Sequence, residues 1–113
     1  MQRLKQNREF QRVYEGGRYF AHPLLVLYVL PRTGQPARLG FSVGKKVGNA
    51  VIRNRVRRQL REIARLQAKL PNEGVDLVIL GRAKAAEADY QQLQAAFLNV
   101  AGRAQSWLRS RKE

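Results

Sequence analysis

Apolar residues recur at steps of three and four, the spacing of one helix face, in three segments of the chain. In the first segment, Phe10, Val13 and Tyr14 share a face. Asn7 is the expected N-cap of this short helix, and the pair Gly16–Gly17 should end it.

The middle segment is the longest of the three. Its apolar stripe is formed by Ile52, Val56, Leu60, Ile63, Leu66 and Leu70. Asn49 is the expected N-cap, because its side-chain oxygen can accept from a first-turn N–H, and Pro71–Gly74 should end the helix. The last helix begins at Asp89, which is placed to form a capping box with Gln92. Its stripe, which we predict to be core, consists of Tyr90, Leu93, Phe97, Val100, Ala104 and Trp107.

Strand patterns fill the intervals between the helices. Residues 24–30 form a continuous apolar run, typical of a strand covered on both faces, and residues 38–43 alternate apolar with polar or small positions. Residues 31–36 have the composition of a turn, so these two strands should form an antiparallel pair. Residues 18–21 and 75–80 complete four strands. The element order α-β-β-β-α-β-α indicates an α+β domain with helices on a four-stranded sheet.

The middle helix carries half of the net charge. Between Lys45 and Arg65 there are eight Lys or Arg residues and one acid, Glu62, so this stretch holds +7 of the chain's +14. Arg53 and Arg55 lie at the shoulders of the apolar stripe. The opposite face carries Asn54, Arg57, Arg58, Arg61 and Arg65.

A solvated helix face with ion pairs is the usual interpretation of such a charge run, but that arrangement needs acids that this segment lacks. Arginine predominates over lysine in the helix, which suits planar, bidentate contact with phosphate. The face is therefore predicted to bind nucleic acid.

Composition narrows the class of protein. A chain of 113 residues is expected to form one domain, residues 1–113, and a pI near 11.4 implies a polyanionic partner such as RNA, DNA or an acidic membrane. No apolar run has the length of a membrane span and no signal-peptide pattern opens the chain, so we expect a cytoplasmic protein. Cysteine is absent, which excludes disulfides and thiolate chemistry.

Candidate catalytic chemistry is sparse. His22 is the single histidine and is taken as a loop residue, and the eight acids suggest neither a carboxylate pair nor a metal cluster. The segment 40–46 has the wrong glycine spacing for a nucleotide-hydrolysing phosphate loop. Phe10 and Tyr14 fit two roles equally well, as core residues or as stacking platforms for unpaired bases.

Residues 40–58 closely resemble the signature of the bacterial ribonuclease P protein subunit, whose hallmark is an Arg-Asn-Arg helix, here Arg53-Asn54-Arg55. The likeness extends over nearly the whole chain, although Tyr14 stands where that family more often has Phe. The resemblance implies an α-β two-layer sandwich like the second domain of ribosomal protein S5, with a left-handed β-α-β crossover around the basic helix, where general chirality rules favour the right hand.

The resemblance also implies a function: a protein cofactor of the catalytic RNA that removes the 5′ leader from precursor tRNA, with Mg²⁺ held mainly by the RNA and no catalytic residue in the protein. The implied partners are ribonuclease P RNA and precursor tRNA, with no membrane or DNA partner, and the free protein is expected to be monomeric. The implied RNA-subunit contacts are Lys45, Arg53, Asn54, Arg55, Arg57, Arg58, Arg61 and Arg65. The implied contacts to the tRNA leader are Phe10, Tyr14, Tyr28, Lys46 and Arg82.

Three other classes remain open at this point. A structural RNA-binding protein of ribosomal type would share the charge but would not need an aromatic cleft. A DNA-binding regulator would insert the basic helix into a major groove and show strong sequence specificity on duplex DNA. An autonomous nuclease is the weakest of the three, and it would cut RNA without an RNA partner.

Overall fold

The computed structural model describes residues 2–66, 70–71 and 73–111. Its elements are β1 (Gln2–Arg3), α1 (Asn7–Gly16), β2 (Arg18–Ala21), β3 (Leu25–Pro36), β4 (Arg38–Val43), α2 (Ala50–Leu66), β5 (Glu73–Gly81), a 3-10 turn (Ala83–Glu87) and α3 (Tyr90–Arg111). The mixed α+β class predicted from the sequence is confirmed.

The sheet has five strands in the order β1-β4-β5-β3-β2, one more than predicted. The added strand, β1, is a two-residue segment that pairs in parallel with β4. Such a short strand carries no periodic apolar signal, which explains why the sequence pattern does not reveal it.

The predicted antiparallel pairing of residues 24–30 with residues 38–43, which belong to β3 and β4, is wrong. β5 lies between them, antiparallel to β3 and parallel to β4. The turn predicted over residues 31–36 is instead an irregular extension of β3, with Pro36 in register with Glu73, so the chain passes the end of β5 before β4 begins. Segments adjacent in sequence usually pair in a sheet, but the β4-α2-β5 crossover provides a competing partner. The predicted left hand of that crossover stays a prediction.

Helices lie on both faces of the sheet. α2 and α3 cover one face and enclose the main core, in which Leu27, Leu77, Leu60 and Phe97 are fully buried. α1 lies on the opposite face over a small second core of Leu4, Val13 and Val78. The two-layer description therefore fits the α2–α3 side, and α1 adds a partial third layer.

The helix boundaries follow local capping chemistry, with two corrections. Asn49 caps α2 through a 3.0 Å bond from the Ile52 N–H, as predicted. Asp89 and Gln92 form the predicted capping box of α3. For α1 the N-cap is Gln6, so the prediction of Asn7 is wrong by one residue.

The second correction concerns the apolar stripe of α2. Leu66 was predicted to be part of that stripe, but its side chain is more than half exposed. α2 is described as far as Leu66, and residues 67–69 and 72 of the predicted helix end lie outside the described residues.

Candidate nucleic-acid interface

The outer face of α2 is a cationic surface. Asn54, Arg58, Arg61 and Arg65 are exposed, and Arg57 is half-buried and donates a 2.8 Å hydrogen bond to Asn54 Oδ1. Within the described part of the chain, Glu62 is the acid that pairs with this helix, through a 2.7 Å bridge to Arg65. Each partner stabilises the charged form of the other, which lowers the pKa of Glu62 and raises the pKa of Arg65. The rest of the positive charge remains available to an external anion.

The two shoulder arginines are partly enclosed by the protein body. Arg53 and Arg55 are half-buried, and the Nε atoms of both are buried without a hydrogen-bond partner among the described residues. Arg55 Nη2 donates to the carbonyl oxygen of Ala86 in the 3-10 turn. These side chains therefore have fewer conformations to lose when they bind a ligand.

Arg3 of β1 adds a positive charge to this surface, which the sequence pattern does not reveal. Arg61 stacks over Phe41 of β4, with its guanidinium carbon 5.9 Å from the ring centroid. Burial, and then the positive charges of Arg3 and Arg57, lower the pKa of Arg61. Arg3, Arg57 and Arg61 thus bring three positive charges close together, and no acid among the described residues forms a salt bridge with them. This arrangement favours the binding of an anion between them.

An aromatic cluster lies on the opposite face of the sheet, under and beside α1; it consists of Phe10, Tyr14, Tyr19 and Tyr28. The Tyr14 and Tyr28 rings meet edge to face with centroids 4.9 Å apart, and Tyr19 lies 6.1 Å from Tyr28. Phe10, Tyr14 and Tyr28 are half-buried against the second core, whereas Tyr19 is 64% exposed. The rings thus pack in the protein and also leave surface open to solvent.

Neighbouring residues fix the positions of these rings. Burial raises the pKa of Tyr14, the nearby Ser42 side chain acts against that rise, and Tyr28 adds to it. Phe10 lies directly over Gly40, where an added Cβ would be 2.6 Å from the ring. Tyr19, Ser42 and Gly40 were not predicted from the sequence as site residues, and pairing of Tyr19 with Tyr28 across β2 and β3 depends on strand register.

The two predicted leader-binding cations lie at one edge of the same sheet. Val43 and Gly81 are paired in register at the ends of β4 and β5, so Lys46 and Arg82 follow at the same edge. Lys46 is exposed in a turn closed by a 3.1 Å bond from the Val47 N–H to the Gly44 carbonyl. Arg82 is exposed and donates to the His22 carbonyl at 3.3 Å.

The aromatic cluster on the α1 face lies near this basic edge. Tyr28 is in register with Val78, three residues before the end of β5. At about 3.3 Å per residue, the ring cluster lies on the order of 10 Å from the basic edge.

The predicted RNA-subunit residues lie away from the aromatic cluster, on the other side of the sheet. α2 packs with α3 on the main core, so Arg57, Arg58 and Arg61 project from the outer layer. Lys45, in the turn before α2, is exposed at the sheet edge next to Lys46. The protein thus presents a cationic helix and an aromatic sheet face that meet at one edge.

Comparison with known proteins identifies the family. The sequence profile of the family Ribonuclease P matches residues 1–105 of the chain. The chain belongs to the ribonuclease P protein family. It is 46% identical over 97 residues to the ribonuclease P protein component of Natranaerobius thermophilus, with 86% of this chain and 84% of that protein covered. It is 43% identical over 106 residues to that of Herpetosiphon aurantiacus, with 94% and 86% covered.

Solved structures of the family share the fold. The RNase P protein of Staphylococcus aureus superposes with a TM-score of 0.82 at 32% identity, covering 92% of this chain and 95% of that one. The RNase P protein of Thermotoga maritima gives 0.78 at 29% identity, covering 91% and 97%. The chain is accordingly a protein subunit of the endoribonuclease ribonuclease P, its role is that of a cofactor in tRNA 5′ maturation, and ribonuclease P RNA is its partner.

No helix in the described part of the chain is both long enough and apolar enough to cross a membrane.

Proposed function

We propose that the ribonuclease P protein uses its two sides for two RNAs, with the α2 surface on ribonuclease P RNA and the aromatic cluster on the 5′ leader of precursor tRNA. The observation that carries this proposal is the half-buried aromatic cluster, which lies on the order of 10 Å from the basic edge at Lys46 and Arg82. A surface for a single RNA duplex would need the cations but not the partly exposed rings.

The α2 surface suits a folded RNA. Its contacts are Lys45, Arg53, Asn54, Arg55, Arg57, Arg58, Arg61 and Arg65, to which β1 adds Arg3. Guanidinium groups held by Ala86, Asn54 and Phe41 present fixed N–H edges to phosphate oxygens. Such contacts position an RNA without reading its sequence.

The aromatic cluster suits an unpaired strand of any sequence. Bases of the leader stack on the open surface of Tyr19, Tyr28, Tyr14 and Phe10, because every base has a π-face. Lys46 and Arg82 neutralise the leader phosphates at the sheet edge. One protein can in this way serve many precursor tRNAs whose leaders differ.

Mg²⁺ belongs to the RNA in this proposal, because the described carboxylates near the two surfaces do not suit a metal site. Asp76 accepts hydrogen bonds from Arg32 and Arg38, and Glu62 is paired with Arg65. Carboxylate oxygens that already accept hydrogen bonds from guanidinium groups are poor Mg²⁺ ligands, because the ion would have to replace those hydrogen bonds. Mg²⁺ also gives up its waters reluctantly. The protein contributes by neutralising phosphates, which lowers the Mg²⁺ concentration that the RNA requires.

We also propose that the free protein is a cytoplasmic monomer that meets both RNAs there. A net charge of +14 opposes self-association, since like-charged copies repel until an RNA neutralises them.

The test is cleavage of precursor tRNA at low Mg²⁺ by ribonuclease P RNA, with and without the protein, beside the protein alone. Cleavage at the mature 5′ end that depends on both components is the expected result. Affinity of the holoenzyme is then compared for precursors with a long leader and with the leader removed. Lys46→Gln and Arg82→Gln should weaken only the leader-bearing substrate, and Arg58→Gln should weaken binding of the protein to ribonuclease P RNA.

Equal weakening of both substrates by Lys46→Gln would refute the leader assignment. Tight RNA binding without stimulation of cleavage would favour a structural RNA-binding protein.

A further inference from the structure

A second arginine-rich surface lies at the β2 edge, on the α3 side of the sheet, outside both proposed RNA sites. It is a ladder of alternating guanidinium groups and rings, in the spatial order Arg103, Phe20, Arg18, Trp107 and Arg111. The four successive guanidinium-to-centroid distances are 5.9, 5.6, 5.5 and 5.1 Å. These five residues form the arginine ladder.

Two elements build the arginine ladder. Arg18 and Phe20 alternate with Tyr19 along β2, so they point to the α3 side while Tyr19 points to the aromatic cluster. On α3, residues 103, 107 and 111 follow at steps of four and form one stripe. Phe20 is buried and Trp107 is half-buried, with their ring centroids 6.0 Å apart.

The three arginines of the ladder, Arg18, Arg103 and Arg111, are exposed. A guanidinium group that lies on a ring uses its planar face and keeps its in-plane donors free for an acceptor. Arg103 donates from Nη1 to the Ala21 carbonyl at 2.8 Å and to Asn99 Oδ1 at 3.2 Å. Across residues 2–66, 70–71 and 73–111, no carboxylate forms a salt bridge with Arg18 or Arg103.

Distance makes this surface electrostatically separate from α2. Arg61 stacks on β4, and β4 is separated from β2 by β5 and β3. Three steps of about 4.8 Å amount to roughly 14 Å, which exceeds the screening length of about 8 Å at physiological salt. An anion bound at Arg61 therefore does not neutralise the arginine ladder.

We infer that the arginine ladder is a further RNA-binding surface that takes the phosphodiester backbone of an RNA without reading its sequence. Exposed guanidinium groups held beside rings suit phosphate oxygens, and the buried Phe20 and half-buried Trp107 offer little open surface to bases. The occupant is a further region of ribonuclease P RNA, the partner that the family gives this chain, so the inference rests on the proposed function.

The chain supplies a matched control for the test. Arg18→Gln and Arg111→Gln each remove one ladder charge, and Arg109→Gln removes one charge from the same exposed end of α3. Position 109 lies about 200° around the helix from 107 and from 111, so it is outside the stripe. Thermal unfolding of each variant monitors the packing role of the stacked arginines.

Two affinities are measured over a range of KCl concentrations: that of the protein for ribonuclease P RNA, and that of the holoenzyme for leaderless precursor tRNA. Arg18→Gln and Arg111→Gln should each lower the affinity for ribonuclease P RNA by about three- to tenfold and reduce its salt dependence by about one phosphate contact. Arg109→Gln should stay within about twofold. A fall in the affinity for leaderless precursor tRNA alone would overturn the choice of ribonuclease P RNA as the occupant.

Ladder variants that match Arg109→Gln in both affinities would overturn the inference, and a fall in melting temperature alone would show that the ladder only packs. Arg58→Gln on α2 separates this result from the proposed function. Loss of RNA binding in Arg58→Gln with none in the ladder variants would reject the ladder and leave the α2 assignment in place.

Discussion

Arg38 holds Asp76 with two parallel hydrogen bonds, from Nε to Oδ1 at 2.9 Å and from Nη2 to Oδ2 at 2.7 Å. Asp76 is the buried charged residue of the described chain, with no exposed surface, and Arg32 adds a third bond at 2.9 Å. The bonds to Asp76 are the main cause of a raised pKa of Arg38. Arg38 also pairs with Glu9 of α1, so this network ties the helix that carries Phe10 and Tyr14 to the sheet beneath it.

Removing the charge of Asp76 should be costly. Asp76→Asn keeps the side-chain shape but leaves two arginines without their buried counter-ion, and we expect unfolding free energy to fall by about 3 kcal/mol. Glu62→Gln is the matched control, because it breaks an ion pair whose partners are 67% and 46% exposed and should cost less than about 1 kcal/mol. Urea unfolding measures both, and equal losses would contradict the assigned role of burial.

Gly40 is expected to be indispensable for the position of Phe10. In Gly40→Ala the new methyl group would meet the Phe10 ring at 2.6 Å and Leu4 Cβ at 3.1 Å, so the ring must move. We expect a loss of about 1–3 kcal/mol and a weaker preference of the holoenzyme for leader-bearing substrate. Gly44→Ala has no atom within 4 Å of the added Cβ and should leave the leader preference unchanged. A leader preference unaffected by Gly40→Ala would mean that Phe10 does not contact the leader.

Substitution of Tyr19 distinguishes stacking on a leader base from packing within the protein. Its ring is 64% exposed, so Tyr19→Ala should change unfolding free energy by no more than about 0.5 kcal/mol. Loss of one stacked base should nevertheless weaken binding of leader-bearing precursor by about 1–3 kcal/mol, with no effect on leaderless substrate. Fluorescence titration of the holoenzyme with the two substrates gives the comparison. An unchanged leader contribution would remove Tyr19 from the site.

The link between α1 and the sheet should weaken at acid pH. Hydrogen bonds from the Gln6 and Lys5 N–H groups, and then the charge of Arg38, lower the pKa of Glu9 below its ordinary value of 4.5. A carboxyl whose folded-state pKa is depressed stabilises the fold above pH 4.5, and that contribution disappears as the pH falls through the lower, folded value. The stability difference between the wild type and Glu9→Gln should therefore be constant from pH 7 to about 5 and shrink below 4.5.

Urea midpoints from pH 7 to pH 3 test this dependence. Glu15→Gln, an exposed position on the same helix, controls for the loss of one negative charge. A difference between wild type and Glu9→Gln that grows as the pH falls would contradict the assigned role of Glu9.

The sequence by itself determined the features that depend on neighbours along the chain. The period of Val56, Leu60 and Ile63 and the cap at Asn49 fix α2, and the excess of arginine over acid fixes its cationic face. The motif over residues 40–58, which contains Arg53-Asn54-Arg55, indicated the family, and the comparisons confirm it. The predicted roles of single residues in RNA binding stay predictions.

Tertiary structure decided what depends on contacts between distant segments. Insertion of β5 between β3 and β4 set the strand order, and with it the pairing of Arg38 with Asp76 across 38 residues of sequence. The same register placed Tyr19 beside Tyr28, Arg3 near Arg61, and Arg18 on Trp107. Local periodicity assigns each strand residue to one of two faces, but it does not specify which strand lies alongside, because many pairings bury the same apolar residues equally well.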